Sequence, residues 1–228
     1  MPPLPERIRA VAFDLDGLMF NTEHVFALAA EQMLSGRGLE MPPNLLRRMM
    51  GRRPPEAMRQ MRELCGLTES IEDLHAESHR VFFELLDKHL EPMPGLFELL
   101  RHLETRRVPK GVATSSPRDY QVDLMGRFDL LPRFAFALTA EDVQKGKPHP
   151  EIYLTAAARH GVPASELLVF EDSEAGTNAA AAAGAFVISV PHEHSRSHNF
   201  ENASRVAESL VDPVVLEVLD RTEPADTV

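Results

Sequence analysis

The sequence contains almost no cysteine and no long apolar run. Cys65 is the single cysteine among 228 residues, which excludes an internal disulfide framework and fits a reducing compartment. No segment approaches the roughly 18 consecutive apolar residues that a membrane-spanning helix needs. The proline-rich start, MPPLPERIRA, also lacks the apolar centre of a secretion signal. These absences predict a cytoplasmic protein that has no membrane as a partner.

Positive charge is also scarce. The chain carries 24 Lys and Arg residues against 35 Asp and Glu residues, which gives a formal net charge of −11. A protein that binds nucleic acid through general basicity needs the opposite balance, so nucleic acid is not an expected partner. Any anion site must therefore be a local group of cations. A P-loop is excluded as that group, because the sequence lacks GxxxxGK followed by Ser or Thr.

Residues 11–20, VAFDLDGLMF, carry the clearest chemical signal. A short apolar run precedes Asp14 and Asp16, and Gly17 marks a turn. The run predicts a buried strand of a parallel sheet, and ligands bind at the carboxyl ends of such strands. Two carboxylates this close together require a cation or a shared proton. A surface turn, which aspartate and glycine also favour, is the alternative for this segment taken alone.

The pattern of apolar residues changes twice along the chain. Residues 23–92 show helical spacing throughout, and no strand is predicted there. From residue 93 onward helices alternate with short apolar runs, which predicts a parallel sheet built by right-handed crossovers. We therefore expect one α/β domain, residues 1–22 and 93–228, interrupted by a helical insertion at residues 23–92. The predicted strands are 11–13, 108–113, 134–138, 167–170 and 186–190.

Four groups of polar residues fall at the ends of four predicted strands. They are Asp14 and Asp16, then Thr114, then Lys147, and finally Glu171 with Asp172. Together they provide what phosphoryl transfer needs: a carboxylate nucleophile, a second carboxylate for acid and base catalysis, and a hydroxyl and an ammonium for phosphate oxygens. The further carboxylates suit a hard cation. Mg²⁺ fits this role, because it prefers oxygen ligands and offsets developing negative charge.

These motifs resemble those of the haloacid dehalogenase superfamily, in particular its phosphatases and mutases with a helical cap after the first motif. The DxDG motif matches residues 14–17, the hydroxyl of the second motif matches Thr114, and the lysine before a proline matches Lys147. The acidic pair of the fourth motif matches Glu171 and Asp172. The resemblance covers nearly the whole chain. It implies a Rossmann-like parallel-sheet core with an inserted all-α helical cap domain.

The resemblance also implies a role for each motif residue. Asp14 would attack phosphorus, and Asp16 would protonate the leaving alkoxide and then activate the water that hydrolyses the aspartyl-phosphate. Thr114 and Lys147 would hold the phosphoryl group. Two aspartates in the first motif favour phosphate chemistry over dehalogenation. The implied Mg²⁺ ligands are Asp14, the backbone carbonyl of Asp16 and Asp172. Glu171 would either bind the ion directly or hydrogen-bond to a group that does.

Substrate choice is expected to depend on the cap, which closes over the site in such enzymes. Residues 47–62 hold six arginines against one acidic residue. Arg52 and Arg53 lie beside a glycine and are candidates for contacting an anionic substrate, whereas the other arginines are expected on a solvated helix face. Further candidates for lining the site, each also suited to a turn or a helix cap, are Ser115, Ser116 and Glu23.

The favoured function is a Mg²⁺-dependent phosphomonoesterase that acts on a small sugar phosphate or a nucleotide-like metabolite, similar to pseudouridine- and sugar-phosphate phosphatases. The first alternative is an isomerase resembling β-phosphoglucomutase. Such mutases carry a histidine in the first cap helix and an arginine after the cap-loop glycine, where this chain has Phe26 and Pro54. Both departures favour the phosphatase. The second alternative, a binding protein on an inactive scaffold, would lack a motif residue, and none is missing.

A histidine-rich stretch remains outside these motifs. His192, His194 and His198 could ligate a transition metal, but a solvated loop is the preferred interpretation of this polar segment. The expected partner of the chain is a small phosphorylated metabolite. We expect a monomer, and the sequence leaves an oligomer open, because exposed apolar patches cannot be distinguished from core residues without coordinates.

Overall fold

The computed structural model describes residues 3–49 and 54–223. Arg52 and Arg53, the predicted substrate contacts, lie outside the described residues. The chain divides into two compact units. The core unit comprises Met1–Met19 with Pro92–Val228, and the helical unit comprises Phe20–Glu91.

The helical unit is built from α1 (Thr22–Ser35), α2 (Leu45–Met49), α3 (Pro54–Cys65) and α4 (Ile71–His89). Apolar side chains that recur at helical spacing pack into one cluster, which includes Met33, Met61 and Leu74. The Ser70 hydroxyl accepts a hydrogen bond from the Asp73 backbone N–H at 3.0 Å and so caps the start of α4. The described residues of this unit form helices and loops and no strand.

A six-stranded parallel sheet forms the centre of the core unit. Its strands are β1 (Ala10–Phe13), β2 (Lys110–Ala113), β3 (Ala137–Leu138), β4 (Leu167–Glu171), β5 (Phe186–Ser189) and β6 (Arg205–Val206). Their order across the sheet is β3-β2-β1-β4-β5-β6. Every residue of β1 is fully buried, which is why this strand reads as an uninterrupted apolar run. The predicted α/β class with a Rossmann-like parallel sheet is confirmed.

Helices of the core unit alternate with the strands. They are α5 (Leu96–Thr105), α6 (Arg118–Gly126), α7 (Glu151–His160), α8 (Glu174–Ala183) and α9 (Pro213–Leu219). The alanine-rich α8 ends at Gly184, which has a positive φ of 81° that residues with a side chain rarely adopt. Among the described residues, no helix combines the length and the apolar composition needed to cross a membrane.

Two of the predicted strands are clearly shorter in the structure, and the bounds of the other three differ by one residue each. The strand predicted at 108–113 begins at Lys110, because Pro109 has no N–H to donate to a neighbouring strand. The strand predicted at 134–138 is regular only over Ala137–Leu138, although the Ala135 N–H already donates to the Lys110 carbonyl of β2 at 2.9 Å. Neither β6 nor α9 was predicted. The reason for β6 is that it contains only an arginine and an exposed valine.

Candidate active site

The motif residues of the core unit meet where the strand order reverses. β2 and β3 follow β1 on one side of the sheet, whereas β4 to β6 continue on its other side. Ligands bind at such a reversal, outside the carboxyl ends of the strands. Asp14 follows β1 directly, and its backbone N–H donates to the Phe170 carbonyl at 3.0 Å. Thr114 follows β2 and Asp172 follows β4, so all three side chains begin at this edge.

Lys147 binds residues of the first and fourth motifs and the last residue of β2. Its side chain is only 6% exposed, and its Nζ donates to Asp14 Oδ1, to Glu171 Oε1 at 2.6 Å and to the Ala113 carbonyl at 2.9 Å. These contacts use all three ammonium hydrogens. Burial alone would lower the pKa of Lys147, but the charges of Asp14 and Glu171 outweigh burial and raise this pKa well above its usual value. The ammonium therefore stays charged.

Glu171 is fully buried and holds Lys147 in place. Its Oε1 accepts hydrogen bonds from Lys147 and, at 2.6 Å, from the Tyr153 hydroxyl. Its Oε2 accepts from the backbone N–H of Asp172 at 3.1 Å and from the Ser173 hydroxyl at 3.0 Å. A side chain at Gly176 would overlap the Glu171 carboxylate, so the glycine in the first turn of α8 is required for this close approach. Both oxygens of Glu171 are thus occupied by protein donors.

Negative charge exceeds positive charge in this group. Carboxylate oxygens of Asp14, Glu171 and Asp172 lie within 4.8 Å of one another, and all three residues are buried. Burial raises the pKa of Asp14 well above its usual value, Lys147 opposes this effect, and the charges of Glu171 and Asp172 add to it. Three clustered carboxylates beside one ammonium form an oxygen-rich donor set that suits a divalent cation such as Mg²⁺.

Asp16 lies in a separate group of hydroxyls. The Ser116 hydroxyl donates to Asp16 Oδ2 at 2.6 Å, and Thr114 Oγ1 lies 3.5 Å from the same oxygen. The Tyr120 hydroxyl donates to Asp16 Oδ1 at 2.9 Å. The backbone N–H of Ser116 also donates to Thr114 Oγ1 at 3.0 Å. The predicted substrate contact Ser116 therefore touches Asp16 directly, and Tyr120 is a site residue that the sequence analysis missed.

His192 contacts the carboxylate that follows β4. Its Nε2 lies 3.0 Å from Asp172 Oδ2, and the backbone N–H of His194 donates to its Nδ1 at 3.2 Å. Because Nδ1 accepts a hydrogen bond, the ring proton sits on Nε2 and points at Asp172. Gly17 (φ 74°) passes close by: an added Cβ would lie 2.7 Å from His192 Nε2. The histidine interpreted as part of a solvated loop is thus half-buried at the motif residues.

Other predicted residues lie elsewhere. Ser115 is exposed beside Thr114. Glu23 is half-buried in the first turn of α1, in the helical unit. Among the described residues, no group of three potential metal ligands includes His194 or His198.

Comparison with known proteins identifies the family. The family model described as haloacid dehalogenase-like hydrolase matches residues 11–190, so the chain belongs to this family. A protein of Drosophila melanogaster described as a probable pseudouridine-5'-phosphatase is 36% identical over 213 residues, which cover 90% of this chain and 91% of that protein. A phosphorylated carbohydrates phosphatase of Thermotoga maritima is 34% identical over 181 residues, covering 78% of this chain and 82% of that protein.

A solved structure has the same fold. It comes from Thermotoga maritima and is provisionally identified as a β-phosphoglucomutase; the TM-score is 0.77 at 28% identity, with 93% of this chain and 97% of that chain covered. The predicted resemblance to the superfamily is confirmed. Family membership together with these curated relatives places the chain among the phosphatases.

Proposed function

We propose that the protein is a Mg²⁺-dependent phosphomonoesterase that hydrolyses a small sugar phosphate or a nucleotide-like metabolite through an aspartyl-phosphate on Asp14. The observation that carries this proposal is the buried Lys147, which binds Asp14 and Glu171 at once beside a second aspartate held by hydroxyls. The two aspartates of the first motif therefore have different surroundings. Asp14 is paired with a cation, which suits a nucleophile, and Asp16 is bound by hydroxyls, which suits an acid and base.

In the first step, an oxygen of Asp14 attacks phosphorus in line with the ester oxygen. The bond between phosphorus and the ester oxygen breaks, and Asp16 gives its proton to the leaving alkoxide. In the second step, Asp16 takes a proton from water, whose oxygen attacks phosphorus. The bond between phosphorus and Asp14 then breaks and inorganic phosphate leaves. Thr114 holds the phosphoryl oxygens, and the Lys147 charge stabilises the negative charge that develops on them. Once Asp14 is bonded to phosphorus, the hydrogen that Lys147 gives to Asp14 can pass to a phosphoryl oxygen.

The metal site that we propose uses Asp14, the backbone carbonyl of Asp16 and Asp172. Bound Mg²⁺ supplies positive charge for the phosphoryl oxygens and for the crowded carboxylates. We propose that Glu171 does not bind the metal directly but supports the ligands, because Lys147, Tyr153 and three donors just before α8 already occupy its oxygens. Its main role would be to orient the lysine.

We further propose that the helical unit serves as the cap domain, residues 23–92, and selects the substrate. Glu23 would contribute from α1, and Arg52 and Arg53 would provide the local positive charge that an anionic substrate needs in an acidic chain. Ser115 would contact the substrate from the loop after β2. The two curated relatives support a small phosphorylated substrate, since one is named for pseudouridine 5'-phosphate and the other for phosphorylated carbohydrates.

The mutase is the second candidate, because the similar solved structure carries a provisional β-phosphoglucomutase identification. In a mutase the phosphoryl group on Asp14 returns to a sugar instead of passing to water. Phe26, where mutases carry a histidine, is apolar and packs against the core of the helical unit, so it offers no hydrogen bond to Asp16. Pro54 likewise provides no cation. Both residues favour transfer to water.

A substrate panel separates the two candidates. The enzyme is incubated with Mg²⁺ and sugar phosphates, nucleoside monophosphates or pseudouridine 5'-phosphate, and phosphate release is measured, while conversion of glucose 1-phosphate to glucose 6-phosphate is followed in parallel. We expect rapid release from one compound and none from the Asp14→Asn variant. Interconversion of the glucose phosphates with little release would establish the mutase, and undiminished release by Asp14→Asn would refute the nucleophile.

A further inference from the structure

We propose that the hydroxyls of Tyr120 and Ser116 form a clamp that positions Asp16 for proton transfer in both directions. This inference rests on the proposed function, because it takes Asp16 as the acid and base. Tyr120 and Ser116 are positioning residues in this account, since they act on Asp16 and not on the substrate.

The clamp holds both oxygens of one carboxylate from two directions. Ser116 binds Oδ2 from the loop after β2, and Tyr120 binds Oδ1 from the first turn of α6. Ser116 is itself fixed, because its N–H donates to Thr114 Oγ1 and its carbonyl accepts from the Ala140 N–H at 3.1 Å. With both oxygens bound, the carboxylate cannot rotate freely about its Cβ–Cγ bond. A fixed orientation matters because proton transfer requires the oxygen to lie within hydrogen-bond reach of the leaving group.

The chemical type of the partners distinguishes Asp16 from Glu171. Glu171 accepts hydrogen bonds from the hydroxyls of Tyr153 and Ser173, but also from an ammonium and from backbone N–H groups. The ammonium and the N–H groups can only donate, and they therefore favour a permanently ionised carboxylate. Asp16 is bound by hydroxyls, which can donate to a carboxylate or turn to accept from a carboxylic acid. A hydroxyl clamp therefore holds the side chain in place without fixing its protonation state. That property suits a residue that must give up a proton in the first step and regain one in the second.

The test compares two aryl phosphates that share a shape and differ in the leaving group. p-Nitrophenyl phosphate has a good leaving group, which needs little protonation, and phenyl phosphate has a poor one, which needs more. The value of kcat/KM is measured for each, because it reports steps up to the first P–O cleavage. The informative quantity is the loss caused by each variant with phenyl phosphate divided by its loss with p-nitrophenyl phosphate.

Tyr120→Phe removes one hydroxyl from Asp16, and Tyr153→Phe is the matched control that removes one hydroxyl from Glu171. Asp16→Asn is the reference for complete loss of the acid. We expect Tyr120→Phe to lose about tenfold more activity with phenyl phosphate than with p-nitrophenyl phosphate, a fraction of what general acid catalysis contributes. Tyr153→Phe should lose the same factor with both esters, because Glu171 does not transfer the proton.

The outcomes separate this inference from the proposed function. If Asp16→Asn discriminates between the esters and Tyr120→Phe loses equally on both, the clamp is refuted while Asp16 remains the acid. If Asp16→Asn itself does not discriminate, the acid assignment fails and the clamp falls with it. Ser116→Ala and Ser116→Thr provide a second test that does not depend on the tyrosine. The clamp predicts that Ser116→Ala loses more activity with phenyl phosphate than with p-nitrophenyl phosphate. Ser116→Thr keeps the hydroxyl and should recover at least part of this difference. Equal losses for the alanine and threonine variants would contradict the clamp.

Discussion

His192 donates a hydrogen bond from Nε2 to Asp172 Oδ2 across 3.0 Å, and the backbone N–H of His194 fixes the ring form that makes this possible. The imidazole therefore orients the carboxylate that follows β4. Hydrogen-bonding partners of this kind hold metal ligands in the geometry that the ion needs.

Replacing His192 should weaken Mg²⁺ binding. We expect His192→Ala to lower the affinity about 10- to 100-fold, because Asp172 loses the partner that orients it. The affinity is measured by calorimetric titration of the protein with MgCl₂ in the absence of substrate. His194→Ala is the matched control on the same loop, since His194 contributes its backbone N–H to the ring of His192 and this group survives the substitution. Equal affinities for the wild type and His192→Ala would show that the histidine does not position the ligand.

Removing the Lys147 ammonium should destabilise the core unit as well as abolish turnover. Lys147→Ala leaves the buried carboxylates of Asp14 and Glu171 without their common cation. Such an uncompensated buried charge costs about 3–5 kcal/mol. The free energy of unfolding is measured by urea denaturation at neutral pH. The control is Lys145→Ala, which removes an exposed lysine two residues away. This substitution should change the free energy of unfolding by less than about 0.5 kcal/mol. If both variants lowered the free energy of unfolding by a similarly small amount, Lys147 would not stabilise the core unit as proposed.

His160 should make the folded protein less stable in mild acid. Burial beside Phe136, whose ring centroid lies 4.6 Å away, lowers the pKa of His160 to about 4. In the unfolded chain this pKa is about 6.5. Between these values the unfolded chain binds a proton that the folded chain does not, so stability is complete above pH 6.5 or so and falls toward pH 4. The difference in pKa, about 2.5, corresponds to at most about 3–4 kcal/mol.

The measurement is the free energy of unfolding at several pH values between about 4 and 7. We expect His160→Gln to flatten this dependence, because the substituted side chain does not titrate. His149→Gln, at a side chain that is 42% exposed, is the control for removing a histidine from the surface. An identical slope for His160→Gln and the wild type would show that another group causes the acid sensitivity.

Arg37 should stabilise the helical unit more than an ordinary surface ion pair does. Its guanidinium binds Glu77 with two hydrogen bonds, at 3.0 and 2.5 Å, and Glu69 with one at 2.8 Å, and its side chain is 22% exposed. We expect Arg37→Ala to lower the unfolding free energy by about 1.5–3 kcal/mol, the range for hydrogen bonds to charged groups. The control is Arg80→Ala, whose pair with Glu84 is exposed and should contribute about 0.5 kcal/mol or less. Both variants are measured by thermal denaturation. Similar losses of stability for Arg37→Ala and Arg80→Ala would show that Arg37 contributes no more than a surface ion pair.

Local pattern sufficed for the buried strands and for the polar residues that follow them. β1, β4 and β5 are covered on both faces, so burial forces an apolar run whose end can be recognised in the sequence. The residue after each strand is then placed at one sheet edge by the parallel arrangement alone. β6 escaped prediction because it has only two residues, one of them exposed, and therefore leaves no apolar pattern.

Contacts between distant residues could not be predicted in this way. Tyr120 lies 104 positions from Asp16, and its first-turn position in α6 gives no indication of which carboxylate it contacts. His192 looked like part of a polar loop, because the hydrogen bond to Asp172 depends on the path of the chain after β5. The role of Arg37 was missed for the same reason, since Glu77 is 40 residues away. These partners depend on the folded arrangement, which the local sequence does not contain.

The central claim is that phosphate is released through a covalent intermediate on Asp14, and the stereochemical course at phosphorus tests it most directly. Each in-line displacement inverts the configuration, so two successive displacements restore it. A chiral, isotope-labelled phosphorothioate monoester is hydrolysed in water enriched in a third oxygen isotope, and the configuration of the released thiophosphate is determined. We predict net retention. Net inversion would mean that water attacks the ester directly, and would contradict the aspartyl-phosphate pathway.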